Sequence, residues 1–249
     1  MQRYFIEESA VENNNIIITG DDAHHIAKVM RMKHGQEIIC CYNQKTALCI
    51  IDEITNEFVK ATVVKWVEES NELPIEVTIA SGLPKGDKLE LIIQKGTELG
   101  AKAFLPFQAS RSIVKWDTKK GSKKVERWTK IAKEAAEQSH RSAIPTIETP
   151  VSFKQLLHLS KEYDTCIVAY EEDAKQGEKA NFVKTLESLP LGARLLIVFG
   201  PEGGWCEEEI QLLREHKFVS CSLGPRILRT ETAPLYVLSA VSYYFELMG

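Results

Sequence analysis

The chain has 249 residues, 44% of them hydrophobic, and a formal net charge of -4 at pH 7. That apolar content is enough to close one large core or two small ones, and no apolar run approaches the roughly 20 residues that cross a bilayer as a helix. Six scattered cysteines with no C-x-x-C pair exclude a zinc ribbon and a disulfide framework, and predict reduced thiols in a cytoplasmic protein.

The start, Met1-Gln2-Arg3-Tyr4-Phe5-Ile6-Glu7-Glu8, turns acidic too early for a secretory signal. Asn15–Thr19, Glu37–Tyr42, Ala47–Ile51 and Phe58–Val64 are β-branched runs separated by turn signals, and predict strands. A helix over Asp22–Arg31, capped by Asp21 or Asp22, interrupts them. Several short strands with one small helix predict a compact barrel. Glu68-Glu69-Ser70-Asn71-Glu72-Leu73-Pro74 is polar and ends in proline, which places a domain boundary after residue 72.

From there strands and helices alternate. Strands are predicted at Ile75–Ala80, Ala103–Phe107, Thr165–Ala169, Arg194–Phe199 and Phe218–Cys221. Helices are predicted at Gly86–Leu99, Lys123–His140, Phe153–Leu159, Asn181–Ser188, Glu207–Glu215 and Pro234–Leu247. Such alternation, with near-continuous apolar strands, predicts an α/β domain whose largely parallel sheet is covered on both faces. The last helix is apolar nearly all round and must be buried on several sides, in the core or at a subunit interface.

Charge is unevenly distributed. Residues 73–150 hold 14 Lys+Arg against 9 Asp+Glu, a net +5 between flanks of -5 and -4. Lys85, Lys88 and Lys95 flank one helix. Arg111, Lys115, Lys119, Lys120, Lys123, Lys124, Arg127, Lys130, Lys133 and Arg141 follow as a dense run. A basic zone so confined is either a solvated face or a polyanion site. His24 and His25 are adjacent, so they cannot share a helix face as a metal pair would. Phosphate or base contact by His25, Lys28 or Arg31 and a purely structural helix both remain open.

Two glycine-containing loops, Phe199-Gly200-Pro201-Glu202-Gly203-Gly204 and Leu223-Gly224-Pro225, follow predicted strands. Ligands of α/β sheets bind at such carboxyl ends. Neither loop has the Lys-Ser/Thr of a P-loop or the spacing of a dinucleotide fingerprint. Arg229 and Glu231 lie just beyond the second loop, where an arginine and a carboxylate can bind, orient or deprotonate a substrate.

Five segments carry a resemblance in order: His24-His25 with Val29-Met30-Arg31; Lys85-Gly86 with Gln94-Lys95 and Glu98-Leu99-Gly100; Glu134-Ala135-Ala136-Glu137-Gln138; Gly200 to Gly204; and Leu223 to Ala233. Together they resemble the RsmE family of 16S ribosomal RNA uridine N3-methyltransferases, within the SPOUT superfamily, over nearly the whole chain. The resemblance implies a PUA-like RNA-binding β-barrel over residues 1–72 and a SPOUT α/β domain with a deep trefoil knot over 73–249. It implies a homodimer acting on 16S rRNA within the 30S particle, with no membrane partner and no metal.

It further implies S-adenosyl-L-methionine held by Tyr170, Gly200, Gly203, Gly204, Leu223, Gly224, Ile227, Leu228, Thr232 and Ala233. Arg229 and Glu231 fall beside the expected methyl group, with Arg229 stabilising the uracil oxygens and Glu231 positioning the base or taking its proton. His25, Arg31, Lys95, Arg111 and Arg141 would contact RNA. Trp205-Cys206 stands where Phe followed by Ser or Thr is common in the family. Ala109-Ser110-Arg111 stands where Ser-Glu-Arg is common, and His140 where a smaller residue is. A transferase of the same superfamily acting on another RNA, and a non-enzymatic RNA-binding assembly factor, are the rival readings.

Overall fold

Inward-facing apolar residues at every second position build the first sheet. They are Ile16 and Ile18, Ile38 and Cys40, then Ala47, Cys49 and Ile51, then Val59, Ala61 and Val63, the period of a half-buried strand. The computed structural model describes all residues except 13, 69, 115–117, 171–180 and 249, and of residues 8 and 118–120 the backbone only. Lys115 therefore lies outside the described residues, as do the side chains of Lys119 and Lys120. The chain forms two compact units, Met1–Glu72 with Ala136–Ile144, and Leu73–Ala135 with Pro145–Gly249.

In the first unit, strands β1 (Arg3–Phe5), β2 (Val11–Glu12), β3 (Asn15–Thr19), β4 (Glu37–Tyr42), β5 (Lys45–Ile54) and β6 (Phe58–Val67) lie in the order β1-β4-β5-β6-β3-β2. All pairs are antiparallel except β1 with β4, which sequence pattern did not anticipate. Helix α1 (Gly20–His24) continues into a π-helical turn, His25–Val29. The capping expectation is corrected here. Thr19 is the N-cap residue and makes no side-chain cap bond, whereas Asp21 and Asp22 sit inside the first turn, where carboxylates favour the helix dipole.

Glu72 and residues 136–144 are joined by a buried ion pair. The Arg141 guanidinium is 2% exposed as a residue and donates through Nε and Nη2 to the Glu72 carboxylate. That carboxylate also accepts the backbone N–H groups of Ser142 (2.9 Å) and Ala143 (3.2 Å). Arg3 donates to the Arg141 carbonyl at 2.9 Å. Arg141 is thus withdrawn from any phosphate. Expected as an RNA contact, Arg141 is turned inward in this structure, its Nε and Nη2 committed to the Glu72 carboxylate and its side chain only 3% exposed.

The second unit is a wholly parallel sheet. Its strands are β7 (Glu76–Gly82), β8 (Ala103–Gln108), β9 (Thr146–Ile147), β10 (Val151–Ser152), β11 (Thr165–Ala169), β12 (Arg194–Phe199) and β13 (Val219–Cys221). The order is β10-β8-β7-β12-β11-β13, with β9 on β8. The helices are α2 (Lys88–Glu98), α3 (Thr118–Gln138), α4 (Phe153–Leu159), α5 (Asn181–Ser188), α6 (Glu207–Glu215) and α7 (Thr232–Ser242). The alternating pattern and the parallel sheet are as expected. Helix α3 begins five residues before Lys123, and the last helix passes into a π-helical turn at Tyr243–Leu247. Pro234 occupies the first turn of α7, where its missing N–H costs nothing. One face of α7 is buried through Val237, Leu238 and Val241, while Tyr236, Tyr243 and Leu247 are exposed. Among the described residues no helix is long and apolar enough to cross a membrane.

Candidate active site

Strand β11 lies between the later strands β12 and β13, so the carboxyl ends of all three open on one side. The Tyr170 N–H donates to the Cys221 carbonyl at 3.1 Å, joining the ends of β11 and β13. Trp205 Nε1 donates to the Ala169 carbonyl at 3.3 Å, joining the loop after β12 to the end of β11. The indole stacks on Phe107, with ring centroids 5.9 Å apart and planes at 15°. The loop is thereby packed onto the core through the indole.

Two glycines set how closely the backbone can approach. A Cβ on Gly82, at the end of β7, would lie 2.7 Å from Pro201 N and 2.8 Å from its Cδ. A Cβ on Gly203 would meet Arg111 Cβ and O at 2.9 Å. The loop after β12 is therefore seated between the end of β7 and the segment carrying Arg111. Gly82→Ala is expected to push Pro201 outward, an overpacking cost of about 1–3 kcal/mol, and to weaken cofactor binding by about tenfold or more. Titration calorimetry of the variant checks this, and wild-type affinity would contradict it.

Glu209, only 2% exposed, ties the same region together. One oxygen accepts the Ser110 N–H at 2.8 Å and the other accepts the Cys206 N–H at 3.2 Å. The carboxylate at the third position of α6 thus closes a capping box with Cys206, whose side chain faces the Glu209 N–H in return. The contact uses the backbone of Ser110, so it survives the departure from Ser-Glu-Arg. Arg111 follows, its Nη1 donating to the Gly203 carbonyl at 3.3 Å.

These segments enclose a cleft of about 640 Å³, within the range of small-molecule sites. Ala169, Phe199, Leu223, Ile227 and Leu228 supply apolar wall, and Gly200, Pro201, Gly204 and Gly224 supply backbone. Lys88, Arg111, Arg226 and Arg229 bring positive charge to it. Apolar walls with accessible peptide groups suit an adenosine-like ligand, whose base wants a dry slot and whose edges want N–H and C=O partners.

Four ionised groups meet at one end. Lys88 Nζ is 3.1 Å from Glu202 Oε1 and 3.2 Å from Glu231 Oε2. Arg229 Nη1 is 4.0 Å from Glu231 Oε1. For Glu202, burial works against ionisation, but its own N–H, that of Lys85 and the Lys88 ammonium together hold the carboxyl below its usual range. Glu231 is likewise held low, first by its own N–H and then, against partial burial, by Lys88 and Arg229. Lys88 is held protonated by the two carboxylates.

Of the residues expected to bind cofactor, Tyr170, Gly200, Gly204, Leu223, Gly224, Ile227, Leu228 and Ala233 line the cleft. Gly203 faces Arg111 instead. Thr232 opens α7, exposed, with its N–H on the Arg229 carbonyl at 2.9 Å. Arg229 and Arg111 line the cleft, whereas Glu231 stands behind Lys88. Lys95 is in an ion pair with Glu98 at 2.8 Å on α2. In the first unit, His25 Nδ1 is 3.0 Å from Tyr4 Oη, and Arg31 is exposed in a left-handed backbone conformation, φ 51°. Burial, then Asp22 and Glu137, push the Tyr4 phenol above its usual range, so it remains a hydroxyl. Lys88, Glu202 and Trp205 were not among the expected site residues. Lys88 looked like one of many surface lysines, and its partners lie more than a hundred residues away.

A family model described as an RNA methyltransferase domain matches residues 71–242, and an RNA methyltransferase PUA domain matches residues 18–64. Over its full length the chain is 58% identical to ribosomal RNA small subunit methyltransferase E of Bacillus subtilis, covering 98% of that protein. The chain belongs to the ribosomal RNA small subunit methyltransferase E family. The first unit accordingly carries the PUA-like domain of a member of this family, and the second most of its methyltransferase domain, residues 136–144 of which belong to the first unit. A family member from Neisseria gonorrhoeae, solved bound to S-adenosyl methionine, is 28% identical over 98% of each chain, with a TM-score of 0.83. A methyltransferase of Legionella pneumophila, solved with bound SAM, matches at 27% identity over 97% of each chain and the same TM-score.

Proposed function

We propose that this enzyme methylates N3 of a uridine in 16S rRNA with S-adenosyl-L-methionine as donor, acting in the cytoplasm on the 30S particle. The observation that carries this reading is the cleft at the ends of β11, β12 and β13, apolar and backbone-lined inside and cationic where Lys88, Arg111, Arg226 and Arg229 reach it. Such a site takes a nucleoside-like cofactor and a polyanionic substrate side by side. When bound, the cofactor supplies an electrophilic sulfonium methyl group. The two loops that converge on the cleft fit the deep trefoil knot of the superfamily.

Uridine N3 carries a proton on the Watson–Crick edge, so the base must be unpaired or extruded to reach the cleft. Arg229, whose side chain is 84% exposed, is free to follow the base and stabilise charge developing on the uracil oxygens. Glu231, held ionised by its surroundings, is a weak proton acceptor. We therefore give it the orienting role and assign the proton to water. Arg111 and Lys95 in the methyltransferase domain, and His25 and Arg31 in the PUA-like domain, are the RNA contacts of this reading, fixing register without reading sequence. The exposed Tyr236, Tyr243 and Leu247 along and beyond α7 support a homodimer that covers them.

The test is methyl transfer from labelled cofactor to 30S particles lacking the modification, with naked 16S RNA and tRNA in parallel. Label recovered as 3-methyluridine in 16S rRNA is the expected result, strongest with the particle. Label on tRNA, or on another position, overturns the substrate assignment. Cofactor binding with no transfer to any RNA overturns the enzymatic reading in favour of an assembly factor.

A further inference from the structure

Lys88 begins α2, yet both of its ion-pair partners belong to other segments. Glu202 comes from the loop after β12, Glu231 from the end of the loop before α7. Glu202 Oε1 also accepts the Lys85 N–H at 3.1 Å, so the start of α2 grips the first loop through backbone and side chain together. The carboxylates are only 24% and 15% exposed. Without the ammonium they would be like charges facing each other across a gap partly screened from water, a repulsive arrangement.

We propose that Lys88 is a positioning residue for methyl transfer, clamping the two cofactor loops to each other and fixing the Glu231 carboxylate behind the reacting base. The proposal rests on the methyl-transfer reading given above. An ion pair whose ammonium still reaches solvent adds little to global stability; its effect lies in the alignment of two loops whose relative position sets the attack geometry. The groups facing Glu231 are Lys88 from α2, Arg229 from its own loop, and its own backbone N–H, with Glu202 opposite across the ammonium.

The test compares wild type with K88M and K88R. In K88M, kcat on the particle is expected to fall about tenfold, with a smaller rise in KM for cofactor. The acid limb of the kcat profile is expected to move to higher pH, because Glu231 loses its nearest cation. K88R should restore the limb and most of kcat. A carbon-13 titration of the Glu231 carboxyl in the free protein, assigned with E231Q, should move in the same direction and needs no turnover. An unshifted acid limb together with an unshifted carboxyl titration in K88M would overturn the clamp, as would failure of K88R to restore either. If wild type methylates no RNA, the functional reading fails by that result alone. The carboxyl titration still decides whether Lys88 holds Glu231.

Discussion

Arg229→Ala is expected to lower kcat for methyl transfer about 100- to 1,000-fold, the usual loss when one donor aimed at developing oxyanion charge is removed. Cofactor affinity and folding should stay close to wild type. The reason is structural: α7 starts on the Arg229 carbonyl, which accepts the N–H groups of Thr232 (2.9 Å) and Ala233 (3.0 Å), and the substitution leaves that carbonyl in place. Its guanidinium is largely in solvent, and its one ion pair among the described residues, with Glu231, is long at 4.0 Å. The side chain therefore contributes little to the fold, which leaves it available for the substrate role proposed above. Arg229→Lys should recover part of the rate, since a point charge replaces a planar fork only incompletely. Single-turnover methyl transfer, with cofactor binding measured separately, checks this. Full turnover in the alanine variant would remove Arg229 from the chemistry.

Arg141→Ala should act in the opposite way, destabilising the protein by about 3–5 kcal/mol, the typical cost of leaving one partner of a buried pair uncompensated. Burial alone would raise the Glu72 pKa, but the Arg141 guanidinium and the Ser142 and Ala143 N–H groups outweigh it and hold the carboxyl below its usual range. The sign follows from linkage. With the folded-state pKa depressed, the pair's stabilisation is complete above the ordinary carboxylate value and is lost as pH falls through the lowered one. The alanine defect should accordingly be large at neutral pH and shrink in acid, where Glu72 is protonated in both proteins. Glu72→Gln should be destabilised too, and its defect should likewise shrink in acid, because protonation of Glu72 leaves the wild-type Arg141 as unmatched as it is in the variant. Urea denaturation at neutral pH and at a pH below the lowered Glu72 pKa checks both. A pH-independent defect in Arg141→Ala would contradict the coupling.

Much of the architecture was legible in local pattern. Period-two runs such as Ile16/Ile18 and Val59/Ala61/Val63 declared the first sheet, and apolar stretches such as Arg194–Phe199 declared buried parallel strands. The short strands β1, β2, β9 and β10 were not legible, because two or three residues carry no period and exist only through their partners. In the site, the glycine loops and Arg229 stood out because unusual residue types cluster within a few positions. Gly203 was harder to read for a related reason: a glycine announces a close approach but not what approaches, and here a Cβ would meet Arg111.

By itself, then, the sequence determined the two kinds of sheet, the parallel character of the second, and the loops that carry the cleft and its arginine. Those are consequences of side chains acting on their own backbone or on neighbours a turn away. Only the tertiary structure decided that Lys88 joins Glu202 to Glu231, that Gly82 makes room for Pro201, that Glu209 holds the segment before Arg111, and that Arg141 is buried against Glu72 and not free for RNA. A charged side chain reads the same in sequence whether it meets solvent, phosphate or a carboxylate. Which of these it meets is set by partners about 70 to 140 residues away, and so by how the chain packs.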